Sequence, residues 1–160
     1  MGAWMDQFDL RILAALQGDG TLTNAALSEQ VHLSASQCSR RRVALEQAGL
    51  IEGYRAKLSA EKLGVRLQAI VRVTLKEHDK DAHNAFSSWV SAQPEVQSAF
   101  SASGDADYIL MVRMRDLEAF SEFLHERLLF QPQVAQVKSD FVLKTLKDSQ
   151  ELDVYSVSAS

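Results

Sequence analysis

Hydrophobic residues in the first third of the chain recur at helical spacing, with short breaks between the periodic segments. The first segment predicts a helix that ends near Gly18, and its apolar stripe consists of Phe8, Ile12, Leu13 and Leu16. A second, shorter helix is predicted from about Thr23 to Val31. Its buried face would consist of Ala26, Leu27 and Val31. The tight connection at His32 and Leu33 then leads directly into a third helix.

The third helix carries its own start and stop signals. Ser34 can cap it, Gln37 can complete a capping box, and Gly49 follows it as a C′ residue. Cys38 and Leu45 would lie on its buried face. Three helices in this order are typical of a helix-turn-helix, in which the last helix reads DNA. Residues 50–58 alternate in places and contain a glycine, so we predict a small β-wing and a winged helix-turn-helix over residues 1–58.

A strand, a helix and a second strand are predicted after a connector at residues 59–64. The first strand shows alternating apolar positions at Val65, Leu67, Ala69, Val71, Val73 and Leu75. The helix runs from about Asp79 to Ala92, because Pro94 breaks it. Its apolar face consists of Ala82, Ala85, Phe86, Trp89 and Val90. The second strand is predicted at residues 95–103.

The same pattern then occurs again. A turn at Gly104-Asp105 leads into a strand at residues 108–115, and Asp116 caps a helix that Pro132 ends. The buried side of this helix would consist of Leu117, Phe120, Phe123, Leu124 and Leu128. A last strand is predicted at residues 133–146. The two halves also share identical residues: Ala85-Phe86 corresponds to Ala119-Phe120, and Gln93-Pro94 corresponds to Gln131-Pro132.

Two βαβ units predict a ferredoxin-like βαββαβ sandwich over residues 59–147, so the fold class is α+β. Both helices would cover one face of the sheet. The strand positions of the other parity include Ile70, Ile109, Met111, Val142 and Leu146. Since a partner sheet is the simplest cover for them, we expect a homodimer through this domain. The tail at residues 148–160 is expected to be disordered or to add a contact strand.

Composition and charge limit the interpretation further. The chain has 160 residues, 46% of them hydrophobic, which is enough for two small cores. No stretch of 18 apolar residues and no signal peptide is present, so we expect a soluble, cytoplasmic protein. The single cysteine, Cys38, excludes a disulfide framework. A net charge of −4 argues against a general polyanion binder, and DNA contact must therefore be local.

The third helix offers such a local site. Arginine can bond guanine in two places, glutamine can do the same for adenine, and hydroxyl groups can donate to phosphate. The candidate residues for binding double-stranded DNA are Ser34, Ser36, Gln37, Ser39, Arg40, Arg41 and Arg42. A run of arginines on a helix is more often a solvated face, so these residues alone do not decide the function. A dimer would double the phosphate contacts of a weakly basic reader.

Dense, ordered motifs then identify a family. They include Asp6-Gln7-Phe8-Asp9-Leu10-Arg11-Ile12-Leu13, Gly49-Leu50-Ile51, Gly104-Asp105-Ala106-Asp107-Tyr108 and Phe141-Val142-Leu143-Lys144. With these in place, the chain resembles the Lrp/AsnC family of feast/famine regulators from Met5 to about Lys147. The resemblance implies a cytoplasmic, nucleoid-associated DNA reader, joined by a β-linker to an effector and oligomerisation domain. It also implies dimers that assemble further, often to octamers, with amino acids bound between dimers.

The effector residues that the resemblance implies are Gly104, Asp105, Ala106, Asp107, Tyr108 and Phe141. The chemistry fits, because backbone N–H groups at a glycine turn can hold an α-carboxylate and an aspartate can hold an α-ammonium group. From the residues alone, Gly-Asp is more often an ordinary hairpin turn. The chain also departs from the family's pattern at Arg42, Val43, Ala44 and Ala106. These departures affect both the docking face and the shape of the effector pocket.

Enzymatic and metal-binding alternatives have little support in the sequence. Glu77, His78, Asp79, Asp81 and His83 lie together, but at a strand-to-helix junction such residues are usually solvated or capping. His32 and His125 are isolated histidines, and no phosphate loop or nucleophile motif occurs. We therefore expect no catalytic residues, no metal and no cofactor beyond an amino-acid effector. A haem-precursor decarboxylase that shares the fold and a small-molecule sensor without DNA binding are the alternatives.

Overall fold

The chain forms two compact units in a computed structural model that describes residues 5–77 and 79–156. One unit comprises the chain up to Lys57 together with the segment that begins at Lys147, and the other comprises Leu58–Leu146. The C-terminal segment therefore belongs to the first unit.

Three helices build the first unit, as predicted. They are α1 (Gln7–Gly18), α2 (Asn24–Val31) and α3 (Ala35–Gln47), and their N-caps are Asp6, Thr23 and Ser34. The core of the unit consists of Ile12, Leu16, Leu27, Val31, Cys38 and Leu45. Burial raises the pKa of the Cys38 thiol, which agrees with a purely packing role. Phe8, predicted as part of the stripe, is only half-buried, and Leu10 is buried instead.

The predicted signals around α3 are confirmed. Ser34 Oγ accepts a hydrogen bond from the Gln37 amide at 3.2 Å, and Gln37 Oε1 accepts one from the Ser34 amide at 3.0 Å. This reciprocal pair is the capping box. At the other end Gly49 adopts φ +73°, a left-handed conformation that favours glycine. The short connection before the helix uses the same conformation at a residue with a side chain, since His32 has φ 58°.

The predicted wing is wrong for the described chain, because residues 52–59 have no regular secondary structure. A β-strand needs a neighbouring strand to take its hydrogen bonds, and residues 5–77 and 79–156 offer none here. The segment is held by a side chain instead. The Tyr54 ring packs against Gly20, where an added Cβ would lie 3.1 Å from Tyr54 Cδ1. The Tyr54 hydroxyl also donates to Glu46 of α3 at 2.8 Å.

A charged clamp joins the start of α1 to α3. The Arg41 guanidinium lies 2.8 Å from Oδ1 of Asp9 and 2.9 Å from Oδ2 of Asp6. Asp9 is the buried charged residue of the described core. Partial burial works to raise the pKa of Asp6, but hydrogen bonds from the Asp9 amide and from Arg41 hold this pKa below its usual value. Asp9 also accepts a hydrogen bond from the Asp6 amide at 2.9 Å, so the clamp supplies the charged partner that this buried carboxylate would otherwise lack.

The second unit has the predicted βαββαβ order. Its elements are β1 (Leu67–Leu75), α4 (Lys80–Ser91), β2 (Val96–Ser101), β3 (Tyr108–Met114), α5 (Leu117–Glu122) with a π-helical continuation (Phe123–Leu128), and β4 (Val134–Phe141). The sheet order is β2-β3-β1-β4, and all neighbouring strands are antiparallel. This is the ferredoxin-like arrangement.

One face of this sheet is buried against the helices. It is lined by Ala69, Val71, Val73, Leu75, Leu110 and Val112, with Phe86, Val90, Phe120 and Phe123 packed over it. Two predicted core positions are wrong: Ala85 is exposed, and Leu117 is 60% exposed. Leu117 is the first residue of its helix, directly after the Asp116 cap.

The last strand ends at Phe141 rather than Leu146. Its partner strand β1 begins at Leu67. After the hydrogen bond from the Val142 amide to the Gln68 carbonyl, β4 therefore has no further residue of β1 to pair with. Leu146 is 88% exposed and contributes to no face of the sheet. Residues 148–156 form no strand, but Gln17 holds them by two hydrogen bonds with the Leu152 backbone, at 3.0 and 2.7 Å. The predicted tail continues to residue 160, and its last four residues lie outside the described ones.

Replacing Arg41 by Gln should lower the free energy of unfolding of the first unit by about 2 kcal/mol at neutral pH, because buried Asp9 loses its charged partner.

The effect should depend on pH. The folded pKa of Asp6 lies below its ordinary value of 3.8, so the contribution of the Asp6 carboxylate to stability is complete above that pH and disappears as the pH falls through the folded pKa. The difference between Arg41→Gln and the wild type should therefore shrink below about pH 3.8. Urea unfolding followed by circular dichroism at pH 7 and pH 3 measures both effects. Arg11→Gln is the matched control, since exposed Arg11 lies over the Phe8 ring and forms no ion pair with the described residues. An Arg41→Gln protein as stable as this control would contradict the clamp.

Candidate DNA-binding and effector sites

The exposed face of α3 is centred on Arg40. Successive residues of a helix turn by about 100°. Cys38 and Leu45 fix the buried direction, and Ser36 and Arg40 project to the opposite side, where both are exposed. The exposed positions around them are Gln37, Val43, Ala44 and Gln47. Among the described residues, Arg40 has no ion pair or hydrogen bond with its side chain. Its guanidinium is therefore available to another molecule.

Arg41 and Arg42 have a different position from Arg40, because they flank the buried face of α3. Arg41 is engaged in the clamp with Asp6 and Asp9, and its guanidinium also lies 5.6 Å from the Phe8 ring centroid. This side chain therefore has a structural role in the folded chain, and its contact with DNA stays a prediction. The sequence does not indicate either aspartate as its partner, since no local spacing connects them to residue 41.

Arg42 is held from three sides. Its Nε donates to the Tyr54 hydroxyl at 2.7 Å, its Nη1 donates to the Leu22 carbonyl at 2.9 Å, and its guanidinium lies over the Tyr54 ring at 4.5 Å. It also pairs with Glu46 one turn along the helix. Burial and the hydrogen bond to Glu46 raise the pKa of Tyr54, so the hydroxyl stays protonated as the donor. The i,i+4 spacing of Arg42 and Glu46 was the available sequence signal for this contact.

Most of the serine and glutamine side chains predicted to contact DNA also make hydrogen bonds within the chain. Ser34 and Gln37 form the capping box, and Ser36 Oγ lies 3.1 Å from Ser34 Oγ. Ser39 is half-buried on the flank of the helix. The start of α3 thus presents exposed polar atoms beside Arg40, while part of their bonding capacity goes to holding the helix terminus.

The predicted effector turn is the loop at residues 102–107 between β2 and β3. Gly104 and Asp105 are exposed, and Ala106 is buried. A side chain at Gly104 would meet no atom within 4 Å, and its φ lies outside the left-handed region. Nothing within the described chain therefore requires glycine at this position.

The other two residues of the motif face inward. Asp107 Oδ2 accepts a hydrogen bond from the Leu75 amide at 2.7 Å, so this carboxylate closes the end of β1. The Tyr108 hydroxyl lies 2.9 Å from Nδ1 of His83, and its ring packs 4.7 Å from the Phe86 ring centroid. Burial, with a contribution from the charge of Asp107, raises the pKa of Tyr108. Both side chains serve the fold, which leaves Gly104 and Asp105 as the accessible part of the turn.

Phe141 does not join the turn within one chain. In the sheet register Phe141 pairs with Ala69, whereas Tyr108 pairs with Val73. Four residues along a strand span about 13 Å. The Phe141 ring packs against Phe120, with centroids 5.1 Å apart. The predicted set of effector residues is therefore separated into two places on each copy of the chain.

The acidic and histidine cluster at residues 77–83 does not form a metal site in the part that the structure describes. Asp79 caps α4 by accepting from the Ala82 amide at 2.7 Å, and His83 faces Tyr108. His78 lies outside the described residues. Across residues 5–77 and 79–156, no group of three or more His, Cys, Asp or Glu side chains could hold a metal ion. None of the described helices has the length and apolar character needed to span a bilayer.

Comparison with known proteins agrees with this architecture. An AsnC-type helix-turn-helix domain matches residues 5–46, and an Lrp/AsnC ligand binding domain matches residues 68–152. The leucine-responsive regulatory protein of Rhizobium meliloti is 38% identical over 151 residues, which cover 94% of this chain and 96% of that protein. The Bkd operon transcriptional regulator of Pseudomonas aeruginosa is 39% identical over 144 residues, with 90% and 94% covered.

A solved structure is similar over almost the whole chain. The transcriptional regulator of Neisseria meningitidis, crystallised as a complex with L-Met, superposes with a TM-score of 0.93 at 41% identity and covers 96% of this chain and 99% of its own. Domain order, sequence and fold thus lead to one conclusion. The chain belongs to the Lrp/AsnC family of transcriptional regulators.

Proposed function

We propose that this regulator reads double-stranded DNA with the exposed face of α3, and that Arg40 is its central contact. The observation that carries this proposal is the division of the three adjacent arginines. Arg41 and Arg42 are engaged with Asp6, Asp9, Tyr54 and Glu46, and Arg40 alone projects from the centre of the exposed face. Ser36 and Gln37 lie beside it and supply further donors and acceptors for base edges or phosphates. The clamped arginines hold the helix in place for this contact.

Arg40→Ala should weaken operator binding roughly tenfold or more, because a bidentate arginine contact contributes about 1–3 kcal/mol. If Arg40 contacts a phosphate, the slope of log K against log salt should also fall by about 1 for each bound copy. Fluorescence anisotropy with an operator fragment at several salt concentrations measures both. Arg66→Ala removes the same charge from the second unit and should leave binding unchanged. Equal DNA affinity of these two variants would show that Arg40 does not contact DNA.

The proposal includes a homodimer formed through the open face of the second unit's sheet. Ile70, Ile109 and Met111 lie on this face and are half-buried in one copy, and the neighbouring Phe100 is 56% exposed. A second copy can cover this patch with the same patch of its own, as a two-fold interface requires. The dimer then brings two copies of α3 to one operator. We further propose that dimers assemble to octamers.

Met111→Glu should produce monomers, because the substitution puts a charge at the centre of the open face. Sedimentation velocity measures the change in mass, and DNA affinity should fall with it. Leu117→Glu is the control, since it adds the same charge at a position that is 60% exposed at the start of α5. A Met111→Glu protein that sediments like this control would show that the sheet face is not the interface.

We also propose that an amino acid binds at the Gly104 turn and shifts the equilibrium between oligomers. The relative from Neisseria meningitidis was crystallised with L-Met, which supports this class of ligand. Backbone N–H groups of the turn can hold the α-carboxylate, and exposed Asp105 can hold the α-ammonium group. Because Asp107 is engaged with Leu75, Asp105 is the better candidate. Phe141 can complete the pocket only from another copy.

Asp105→Asn should reduce the affinity for L-methionine about tenfold, since one charge-assisted hydrogen bond is lost. Calorimetric titration measures the affinity, and sedimentation in the same buffers measures the change in assembly. Glu126→Gln removes one exposed carboxylate elsewhere in the same unit and should bind as the wild type does. If Asp105→Asn binds L-methionine with unchanged affinity, the carboxylate does not hold the ligand.

We propose no catalytic role for the chain. The relatives reported above carry the names of regulators, and the exposed side chains of α3 favour DNA reading over the haem-precursor decarboxylase alternative. Since such a protein works where the chromosome is, we propose that it acts in the cytoplasm in association with the nucleoid. Purified protein should accordingly show no bound haem.

A further inference from the structure

The C-terminal segment returns to the first unit after the sheet of the second unit is complete. The last strand, β4, ends at Phe141, and from Lys147 onward the chain belongs to the first unit. The chain therefore passes between the two units twice, once after Lys57 and once before Lys147. A single passage is enough to join two units, so the second one adds a further connection wherever its far end is held.

One side chain of α1 holds this far end. Gln17 Oε1 accepts a hydrogen bond from the Leu152 amide at 2.7 Å, and Gln17 Nε2 donates one to the Leu152 carbonyl at 3.0 Å. A carboxamide carries the same kinds of donor and acceptor as a peptide group, so Gln17 binds the main chain as a neighbouring strand would. The Leu152 side chain is 74% exposed. The contact therefore depends on the Gln17 side chain and on the main chain of residue 152.

Short turns on both sides of Leu152 shape the segment for this contact. Before it, Ser149 Oγ accepts a hydrogen bond from the Glu151 amide at 3.2 Å. After it, Asp153 Oδ1 accepts one from the Ser156 amide at 3.3 Å. Bonds of this kind between side chain and main chain restrict the conformations of a segment outside helices and strands. Less conformational entropy is therefore lost when the segment docks.

The docked segment is connected to the DNA-reading helix through α1. Gln17 lies near the end of this helix, and Asp9 near its start is paired with Arg41 of α3. The helix rises about 12 Å from Asp9 to Gln17. A rigid element thus joins the contact at Gln17 to the clamp that holds α3.

The chain that leads to the docked segment is short. Ten residues, 142–151, lie between the last residue of β4 and Leu152, and they span at most about 35 Å when fully extended. None of them is in a helix or strand. With the segment docked, this length limits the positions that the first unit can take relative to the end of β4. With the segment detached, only the connection after Lys57 imposes a limit.

We propose that Gln17 and the docked C-terminal segment position the first unit for binding two half-sites of one operator. This inference rests on the proposed dimer, because a dimer presents two copies of α3 to one DNA molecule. Binding of the second α3 is then intramolecular, and its strength depends on how narrowly the chain restricts that helix. Two hydrogen bonds between neutral groups hold the segment weakly, so it can also detach. Gln17 is thus a positioning residue, which acts on DNA binding without contacting DNA.

Gln17→Ala should lower the affinity for a full operator roughly tenfold, because the second α3 is less restricted. The affinity for a half-site fragment should stay unchanged, since α3 itself is intact. Fluorescence anisotropy of the full chain with both fragments measures the two affinities. Gln7→Ala is the matched control, because Gln7 is exposed on the same helix and its side chain forms no hydrogen bond with the described residues.

Two substitutions at Leu152 test the same contact from the other side. Leu152→Pro removes the amide that donates to Gln17 and should lower the affinity for the full operator as Gln17→Ala does. Leu152→Ala keeps the main chain and should bind both fragments as the wild type does. An equal effect of these two substitutions would contradict a contact made by the main chain.

Hydrogen–deuterium exchange on the millisecond scale measures docking itself, without DNA. Peptides that contain Leu152 should exchange several-fold faster in Gln17→Ala than in Gln7→Ala. Equal exchange in these two proteins, equal affinity of both for the full operator, or an equal loss for operator and half-site in Gln17→Ala would each overturn the proposal. A wild type that binds the full operator no more tightly than the half-site would contradict the proposed dimer as well, which distinguishes the two failures.

Discussion

Burial of a single face of the four-stranded sheet is the constraint on which the second unit depends. Side chains alternate along each strand, so covering one face with α4 and α5 fixes the register of all four strands at once. The same alternation puts Ile70, Ile109 and Met111 on the other face. The apolar residues that make the proposed dimer thus follow from the packing that makes the unit stable. Folding and the proposed dimerisation share one pattern of residues.

The distribution of charge on α3 plays the corresponding role in the first unit. Three adjacent arginines point in three directions because each residue turns the helix by about 100°. Two of them face neighbouring structure and bind Asp6, Asp9, Glu46 and Tyr54. The third, Arg40, faces outward. A chain of net charge −4 can present a positive contact to DNA because Asp6, Asp9 and Glu46 pair with Arg41 and Arg42, so that none of these carboxylates balances the charge of Arg40.

The motif around Gly104 shows how one stretch of sequence can serve two purposes. Asp107 and Tyr108 belong to the fold, since they bind the Leu75 amide and pack against His83 and Phe86. Gly104 and Asp105 remain exposed, and no local steric reason accounts for the glycine. This contrast supports a ligand or a second copy as the reason for the exposed half of the motif.

The sequence by itself determined the helices, strands, caps and repeat, and with them the family. These features depend on neighbours a few residues apart: the capping box at Ser34, the left-handed Gly49, and the alternation along β1 are all local. Boundaries that depend on distant partners were missed. The wing lacks a strand to pair with, and β4 ends where β1 begins. Only the tertiary structure decided which arginine of α3 is free, that Phe141 lies apart from the Gly104 turn, and that Gln17 holds the C-terminal segment. Each of these outcomes depends on contacts between residues far apart in the chain, which no periodicity or spacing records.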